Sequence, residues 1–368
     1  MKPVETPTYI HPKTLIVGVH SPYNPTKDIA SYYEEFVNLV TSNGIVYDES
    51  YYLRLRSIDP AYYLTKGKLE ELVELCKELQ IEEIIFSDPL SPQQERNLSE
   101  MLRCRVFDRT QLILEIFEKG AQTAEGKMQV ELAMLQHKKS RLAGRGIHMS
   151  QQGGRIGTRG PGETAKEKEL QHIDRRSNKL HKDLLQLEKT RDTQRKLRLE
   201  GKVPHVCLIG YTNAGKSTIL NALTKSDVLA EDRLFATLDT TTRELYIGQK
   251  KKGIISDTVG FIQQLPHNLV EAFKSTLTEL QYAHLLLHVI DSADPNWEFH
   301  IKVVMEVLKE LDVDKPMLYV FNKIDLLESP SALEPALQKY QPQVVVSSLS
   351  KEGLTPLIDF LKSWQPAD

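Results

Sequence analysis

Cysteine is scarce in this chain of 368 residues: there are only three, Cys76, Cys104 and Cys207, far apart and without paired spacing. That argues against a disulfide framework or a zinc-binding knuckle and leaves the three thiols as small buried hydrophobes. Long apolar runs are missing as well. No stretch reaches the roughly 18 apolar residues of a membrane-spanning helix. The opening MKPVETPTYIHPK lacks the apolar centre of a secretion signal. The expectation is a cytoplasmic protein with no membrane span. Net charge is low too, at −3, but this hides a segregation. Between Lys138 and Lys202 stand 18 Lys and Arg against 8 Asp and Glu, so a basic middle lies between acidic flanks. Such a pattern suits a polyanionic partner held by one part of the molecule.

With 40% apolar and 26% charged residues, the composition is that of a globular protein, long enough for two or three cores. In residues 1–108, TLIVGV, IVYDESYYLRL and IEEIIFSD alternate with helix-like segments such as KGKLEELVELCKEL and SPQQERNLSEML. This predicts a small α/β domain, and no catalytic cluster stands out in it. Residues 109–202 predict a helical hairpin. One amphipathic helix spans Arg109 to Leu142, a second spans about Thr164 to Glu200, and the glycine-rich SQQGGRIGTRGPGE between them cannot hold regular structure. Residues 203–368 alternate again between apolar strands and helices, which predicts a mainly parallel sheet covered on both faces, with ELYIG and KGIISD as one antiparallel hairpin. A helix is expected across Leu269 to Leu280.

The segment from Gly210 to Ser217, GYTNAGKS, fits the phosphate-binding pattern G-x-x-x-x-G-K-[ST] between a strand and a helix. Its glycines let backbone N–H groups approach phosphates, the helix N-terminus favours their charge, and Lys216 adds a point charge. Ser217 supplies a hydroxyl to Mg²⁺. Asp257 opens DTVG, where its carboxylate holds the metal through a water and the Gly260 N–H meets a γ-phosphate. Asp325 closes NKID after the strand MLYVF. A carboxylate there accepts from N1–H and the 2-amino group of guanine, a pattern adenine lacks, so the expected nucleotide is GTP. Ser347, Ser348 and Leu349 of VVVSSLS are candidates for the remaining wall around the base. One threonine of LFATLDTTTR should close over the metal, and spacing alone leaves Thr237, Thr240, Thr241 and Thr242 open.

After DTVG, where many GTPases place a water-orienting glutamine, stands Phe261. Gln263 and Gln264 lie two or more residues beyond it. A partner is therefore expected to supply or induce the missing orientation, and replacing Phe261 by Gln would restore unstimulated turnover if that absence alone limits the rate.

These motifs resemble those of translation-factor-related GTPases, and the chain resembles the HflX family of ribosome-associated GTPases. The resemblance rests on FDRTQLILEIF, TAEGKMQVELAMLQ, GGRIGTRGPGE with the following Asp174, Arg175 and Arg176, GYTNAGKST, LFATLDTTTR, DTVGFIQQLP and NKID, over roughly residues 105 to 350. ETAKEKELQHIDRR departs from the usual ETQLE leading to DRR. The resemblance implies a P-loop GTPase domain preceded by a small α/β domain and a long antiparallel hairpin. It implies a nucleotide pocket made by Gly210, Tyr211, Thr212, Asn213, Ala214, Gly215, Lys216, Ser217 and Thr218; by Phe235, Ala236, Thr237, Leu238 and Asp239; by Asp257, Thr258, Val259 and Gly260; and by Asn322, Lys323, Ile324 and Asp325 with Ser347, Ser348 and Leu349. Catalytic roles fall on Lys216, Thr237 and Gly260, and metal binding on Ser217, Thr237 and, through water, Asp257. Asn213 is the residue type found at this place in potassium-activated GTPases, so K⁺ is a candidate second ion beside Mg²⁺. The implied partners are GTP and GDP, the large ribosomal subunit and its rRNA, reached by Arg145, Arg155, Arg159 and Lys166 around the glycine loop. The implied activity, by a monomer, is GTP-dependent splitting of stalled or idle ribosomes; the alternative is an assembly or remodelling GTPase that binds RNA without splitting.

Overall fold

A computed structural model describes residues 11–24, 26, 28–143, 161–201, 203–224, 234, 235, 241–248, 250–264, 266, 278–327, 329 and 333–366; over 143, 161–165, 192, 194–200, 278 and 336 it describes the backbone alone. Contacts divide the chain into two compact units, Met1–Ile116 with Leu135–Asp174 and Phe117–Met134 with Arg175–Asp368.

The first unit holds β1 (Thr14–His20), α1 (Ile29–Ser42), β2 (Glu49–Arg54), α2 (Lys66–Leu79), β3 (Glu83–Phe86), α3 (Pro92–Leu102) and β4 (Arg105–Phe107). The strands form one parallel sheet in the order β2-β1-β3-β4. Central β1 and β3 are buried along nearly their whole length, which is why their sequences read as unbroken apolar runs rather than alternating ones. α3 starts on a capping box: Ser91 Oγ accepts from Gln94 N at 3.2 Å, and the Gln94 side chain accepts from Ser91 N at 2.9 Å. Cys76 and Cys104 are both buried in this unit's core.

The expected single helix from Arg109 to Leu142 is two helices, α4 (Arg109–Gly120) and α5 (Ala124–Ala143). Gly120 ends the first, and Thr123 begins the second by accepting from Gly126 N on its Oγ1 at 3.0 Å. The apolar period runs through this break, so periodicity alone hid it; the threonine cap is the local signal that marks it. α6 (Pro161–Glu200) starts a few residues before the expected Thr164, with proline in its first turn. In the second unit α5 and α6 run antiparallel, held by a bidentate pair between Glu131 and Arg176 (2.6 Å for each bond) and by Glu125 with Arg191 at 2.8 Å. In the first unit Lys138–Glu169 and Lys139–Asp174 pair the same two helices. Most of the glycine loop, with Arg145, Arg155 and Arg159, lies outside the described residues; Lys166 sits on α6.

The rest of the second unit runs β5 (His205–Gly210), α7 (Lys216–Leu223), β6 (Thr242–Ile247), β7 (Lys250–Asp257), β8 (Leu285–Asp291), α8 (Trp297–Glu310), β9 (Met317–Asn322), α9 (Glu334–Lys339), β10 (Gln343–Val345) and α10 (Thr355–Ser363). Its sheet has the order β10-β9-β8-β5-β7-β6, parallel throughout except for β6, which pairs antiparallel with β7 as the ELYIG and KGIISD pattern predicts. Val206, Leu208, Leu287, Val289, Leu318 and Val320 form the centre of its core, completely removed from solvent. Of the helix expected across Leu269 to Leu280, residues 269–277 lie outside the described residues, and Thr278–Tyr282 is a 3-10 turn. Register aligns Gly210 with Val289, Leu208 with Asp257 and Asp291 with Asn322. The loops after β5, β7, β8 and β9 therefore gather at one edge, the carboxyl end where open α/β sheets bind ligands.

Candidate functional site

The loop from β5 to α7 closes tightly around its glycines. Gly210 has φ +149°, and a Cβ there would lie 2.2 Å from Val289 O; Gly215 has φ +95°, and its Cβ would lie 2.3 Å from Asn322 Nδ2. Only glycine fits such approaches without displacing the neighbouring strands. Asn213 takes φ +59°, a left-handed conformation that asparagine tolerates. Lys216 is buried, and its Nζ donates to Tyr211 O at 2.7 Å. Burial pulls its pKa down to about 8 while the Asp257 carboxylate works in the opposite direction. An anionic ligand beside this ammonium would favour the charged form further.

Ser217 Oγ donates to Asp257 Oδ2 at 3.0 Å, and Asp257 Oδ1 accepts from Thr258 N at 2.9 Å. A hydroxyl and a buried carboxylate thus meet at the foot of the loop, a pair of hard oxygen donors suited to Mg²⁺. Thr212 Oγ1 is enclosed by protein and has no hydrogen-bond partner among the described residues. Leaving such a hydroxyl unpaired costs about 1–3 kcal/mol, so the loop is shaped to face a further polar group. Together these features fit a phosphate chain with its metal.

Gly260 sits directly over this loop: a Cβ on it would approach Thr212 Cγ2 to 2.7 Å and Lys216 Nζ to 3.1 Å. The next residue is bonded to the loop backbone. Phe261 N donates to Gly210 O at 3.2 Å, and Phe261 O accepts from Thr212 N at 2.8 Å. Its side chain is 2% exposed. The position that lacks glutamine is therefore an interior one, and this changes the expected outcome of Phe261→Gln. An amide buried at this place would cost about 2–4 kcal/mol of stability through lost apolar burial and an unpaired polar group. Urea denaturation should show that loss, with no gain in unstimulated turnover. Faster hydrolysis at unchanged stability would contradict the burial. Gln263 is buried as well, and its backbone N donates to Tyr211 Oη at 2.8 Å.

On the opposite side of the loop, Asn322 ends β9. Its Nδ2 donates to Ala214 O at 2.9 Å and its Oδ1 accepts from Ser348 N at 3.0 Å, tying the phosphate loop to the segment after β10. Lys323 takes φ +62° and pairs with Asp291 Oδ2 at 2.8 Å. Ser347 Oγ donates to Asp325 Oδ1. The serines after VVV are thus brought to NKID, while Leu349 is 79% exposed. Of the threonine-rich segment, Ala236, Thr237, Leu238 and Asp239 lie outside the described residues, as does Thr240. Thr242 is already the first residue of β6, its Oγ1 2.8 Å from Ser256 Oγ, and Thr241 O accepts from Asp257 N at 3.1 Å. Phe235 packs edge-on against Phe117 at the end of α4, ring centroids 4.6 Å apart and planes at 90°.

Two residues at the site escape sequence reasoning. The Tyr211 ring stacks on His300 of α8, centroids 3.8 Å apart and planes 9° from parallel. His288, in the middle of β8, is fully buried, and burial together with the Lys216 charge holds its pKa near 3, so it is neutral. No motif contains either histidine. A histidine on an amphipathic helix gives no sign that the fold will bring it to a loop far back in the chain.

Three family models match in succession: the GTP-binding GTPase N-terminal model over residues 30–118, the GTP-binding GTPase middle region over 120–198, and a model described as 50S ribosome-binding GTPase over 205–323. The chain is 47% identical over 309 residues to GTPase HflX of Caldanaerobacter subterraneus subsp. tengcongensis, covering 83% of this chain and 71% of the relative. It is 42% identical to GTPase HflX of Lacrimispora saccharolytica, over 96% of this chain and 83% of that one. Among solved structures, the crystal structure of SsGBP in complex with GDP matches with a TM-score of 0.51 and 26% identity, covering 95% of this chain and 97% of that one. With the phosphate loop, DTVG and NKID gathered at one sheet edge, the chain belongs to the HflX family of GTPases, enzymes that bind and hydrolyse GTP.

Proposed function

We propose that this GTPase binds the large ribosomal subunit and splits stalled or idle ribosomes, with hydrolysis that is slow alone and stimulated by the ribosome. The observation that carries the reading is the contrast within the site. The phosphate loop, DTVG, NKID and the serines after β10 meet at one sheet edge, yet the residue after Gly260 is a phenylalanine whose side chain is buried. The family model over residues 205–323, described as a 50S ribosome-binding GTPase, supports the choice of partner. The surplus of Lys and Arg between Lys138 and Lys202 supports contact with rRNA through Arg145, Arg155, Arg159 and Lys166.

In this reading Lys216 binds the β- and γ-phosphates, the Gly260 N–H donates to the γ-phosphate, and Asp325 accepts from the guanine edge. Ser217, Thr237 and Asp257 hold the metal, the carboxylate through a water. Mg²⁺, when bound, would neutralise charge on the phosphates. The backbone bonds of Phe261 to the phosphate loop keep Gly260 in place without providing a group to orient water.

Sedimentation of intact ribosomes with the protein and a non-hydrolysable GTP analogue tests the output. Free subunits are expected. Intact ribosomes that carry the protein without separating would remove splitting and favour an assembly or remodelling factor.

A further inference from the structure

We propose that His300 and the Tyr211 ring form a strut that holds the segment Gly260–Gln263 against the phosphate loop, which makes His300 a positioning residue for hydrolysis. This rests on the reading that GTP is cleaved at this loop. Two hydrogen bonds that fasten the segment come from backbone: Phe261 N to Gly210 O and Thr212 N to Phe261 O. Another, from Gln263 N to Tyr211 Oη at 2.8 Å, depends on where a side chain stands. The ring of Tyr211 is placed by its 3.8 Å stack on His300, nearly parallel at 9°.

The far end of the strut is anchored. His300 lies in the first turns of α8, whose Ile301, Val304 and Leu308 are buried and whose Trp297 meets Phe321 of β9 edge-on at 5.5 Å. His300 Nδ1 is 3.7 Å from Asp294 Oδ2, in the turn that leads from β8 into α8. Burial keeps the imidazole below its ordinary pKa, against the opposing pull of Asp294 and Asp291, so a neutral ring faces the tyrosine. A tyrosine whose hydroxyl bonds one element while its ring leans on another transmits the position of a rigid helix to a loop. The consequence is large because Gly260 has to hold its N–H at hydrogen-bonding distance from the γ-phosphate, and a misplacement of about 1 Å costs on the order of 10²-fold in rate.

Tyr211→Phe removes the hydroxyl and keeps the stacked ring. Single-turnover GTP hydrolysis by this variant is expected to fall about 10- to 100-fold. The Gln263 amide should exchange faster in the variant, as read by hydrogen exchange. His300→Ala should lower the rate in the same direction, and His300→Phe, which restores a ring to stack against, should recover it. Tyr211→Phe hydrolysing at the parental rate or faster, unchanged exchange at Gln263, or His300→Phe as damaging as His300→Ala would each overturn the strut. If the ribosomal reading fails instead, the parent protein shows no stimulation by large subunits, while exchange at Gln263 still reports on the strut.

Discussion

GTP turnover by the purified protein is expected to stay near ~10⁻⁴ s⁻¹ and to rise by about five orders of magnitude when isolated large ribosomal subunits are added. The low starting rate follows from the site. Small GTPases that keep their water-orienting glutamine are already that slow unaided, and here its place is taken by a side chain sealed in the interior. Phe261 cannot swing out cheaply either. Its backbone is bonded on both sides to the phosphate loop, so moving the residue would break the contacts that hold Gly260 over Lys216. Under the proposed function, the stimulating group is added from outside, or brought in from another part of the chain when the partner docks. An acceleration of that size corresponds to about 7 kcal/mol off the barrier, within reach of one well-placed charge or hydrogen-bond donor. Phosphate release at saturating GTP, with and without subunits, measures it. Brisk turnover by the protein alone, unchanged by the particles, would sink the proposed partner dependence.

Asp325→Asn should lower affinity for guanine nucleotides about 10³-fold or more, because a site built to accept two hydrogen bonds discriminates strongly once one of them is lost. The Asp325 carboxylate offers only acceptors, matching N1–H and the 2-amino group of guanine. Asparagine turns one of those positions into an N–H₂ that meets the 2-amino group donor to donor. Xanthine carries an oxygen in place of that amino group, so the same substitution should strengthen binding of xanthosine nucleotides. Ser347 donates to Asp325 Oδ1, and the carbonyl oxygen of asparagine can accept that bond, so the change falls on the base rather than on the loop. Equilibrium binding of GDP and xanthosine diphosphate to parent and variant gives both numbers. GDP affinity within about tenfold of the parent would remove Asp325 from base recognition.

The local motifs were legible because each is a short spacing between a strand and a turn. GYTNAGKS, DTVG and NKID all stand where a buried strand ends, and the sheet order then places them at one edge. The serines of VVVSSLS were a weaker signal, since serine after a strand is ordinary; their bonds to Asn322 and Asp325 join them to the site. Thr123 marked the break between α4 and α5, but an apolar period that continued across it pointed to a single helix.

By itself, then, the order of amino acids determined the phosphate loop, the NKID turn after a strand, the alternation that makes a parallel sheet and the basic hairpin, because all of these depend on residues near one another along the chain. Tertiary structure alone decided that Phe261 faces inward, that Tyr211 leans on His300 and that Phe235 meets Phe117. Those contacts join residues separated by long stretches of chain, and packing of that kind leaves no periodicity or spacing to be read in advance.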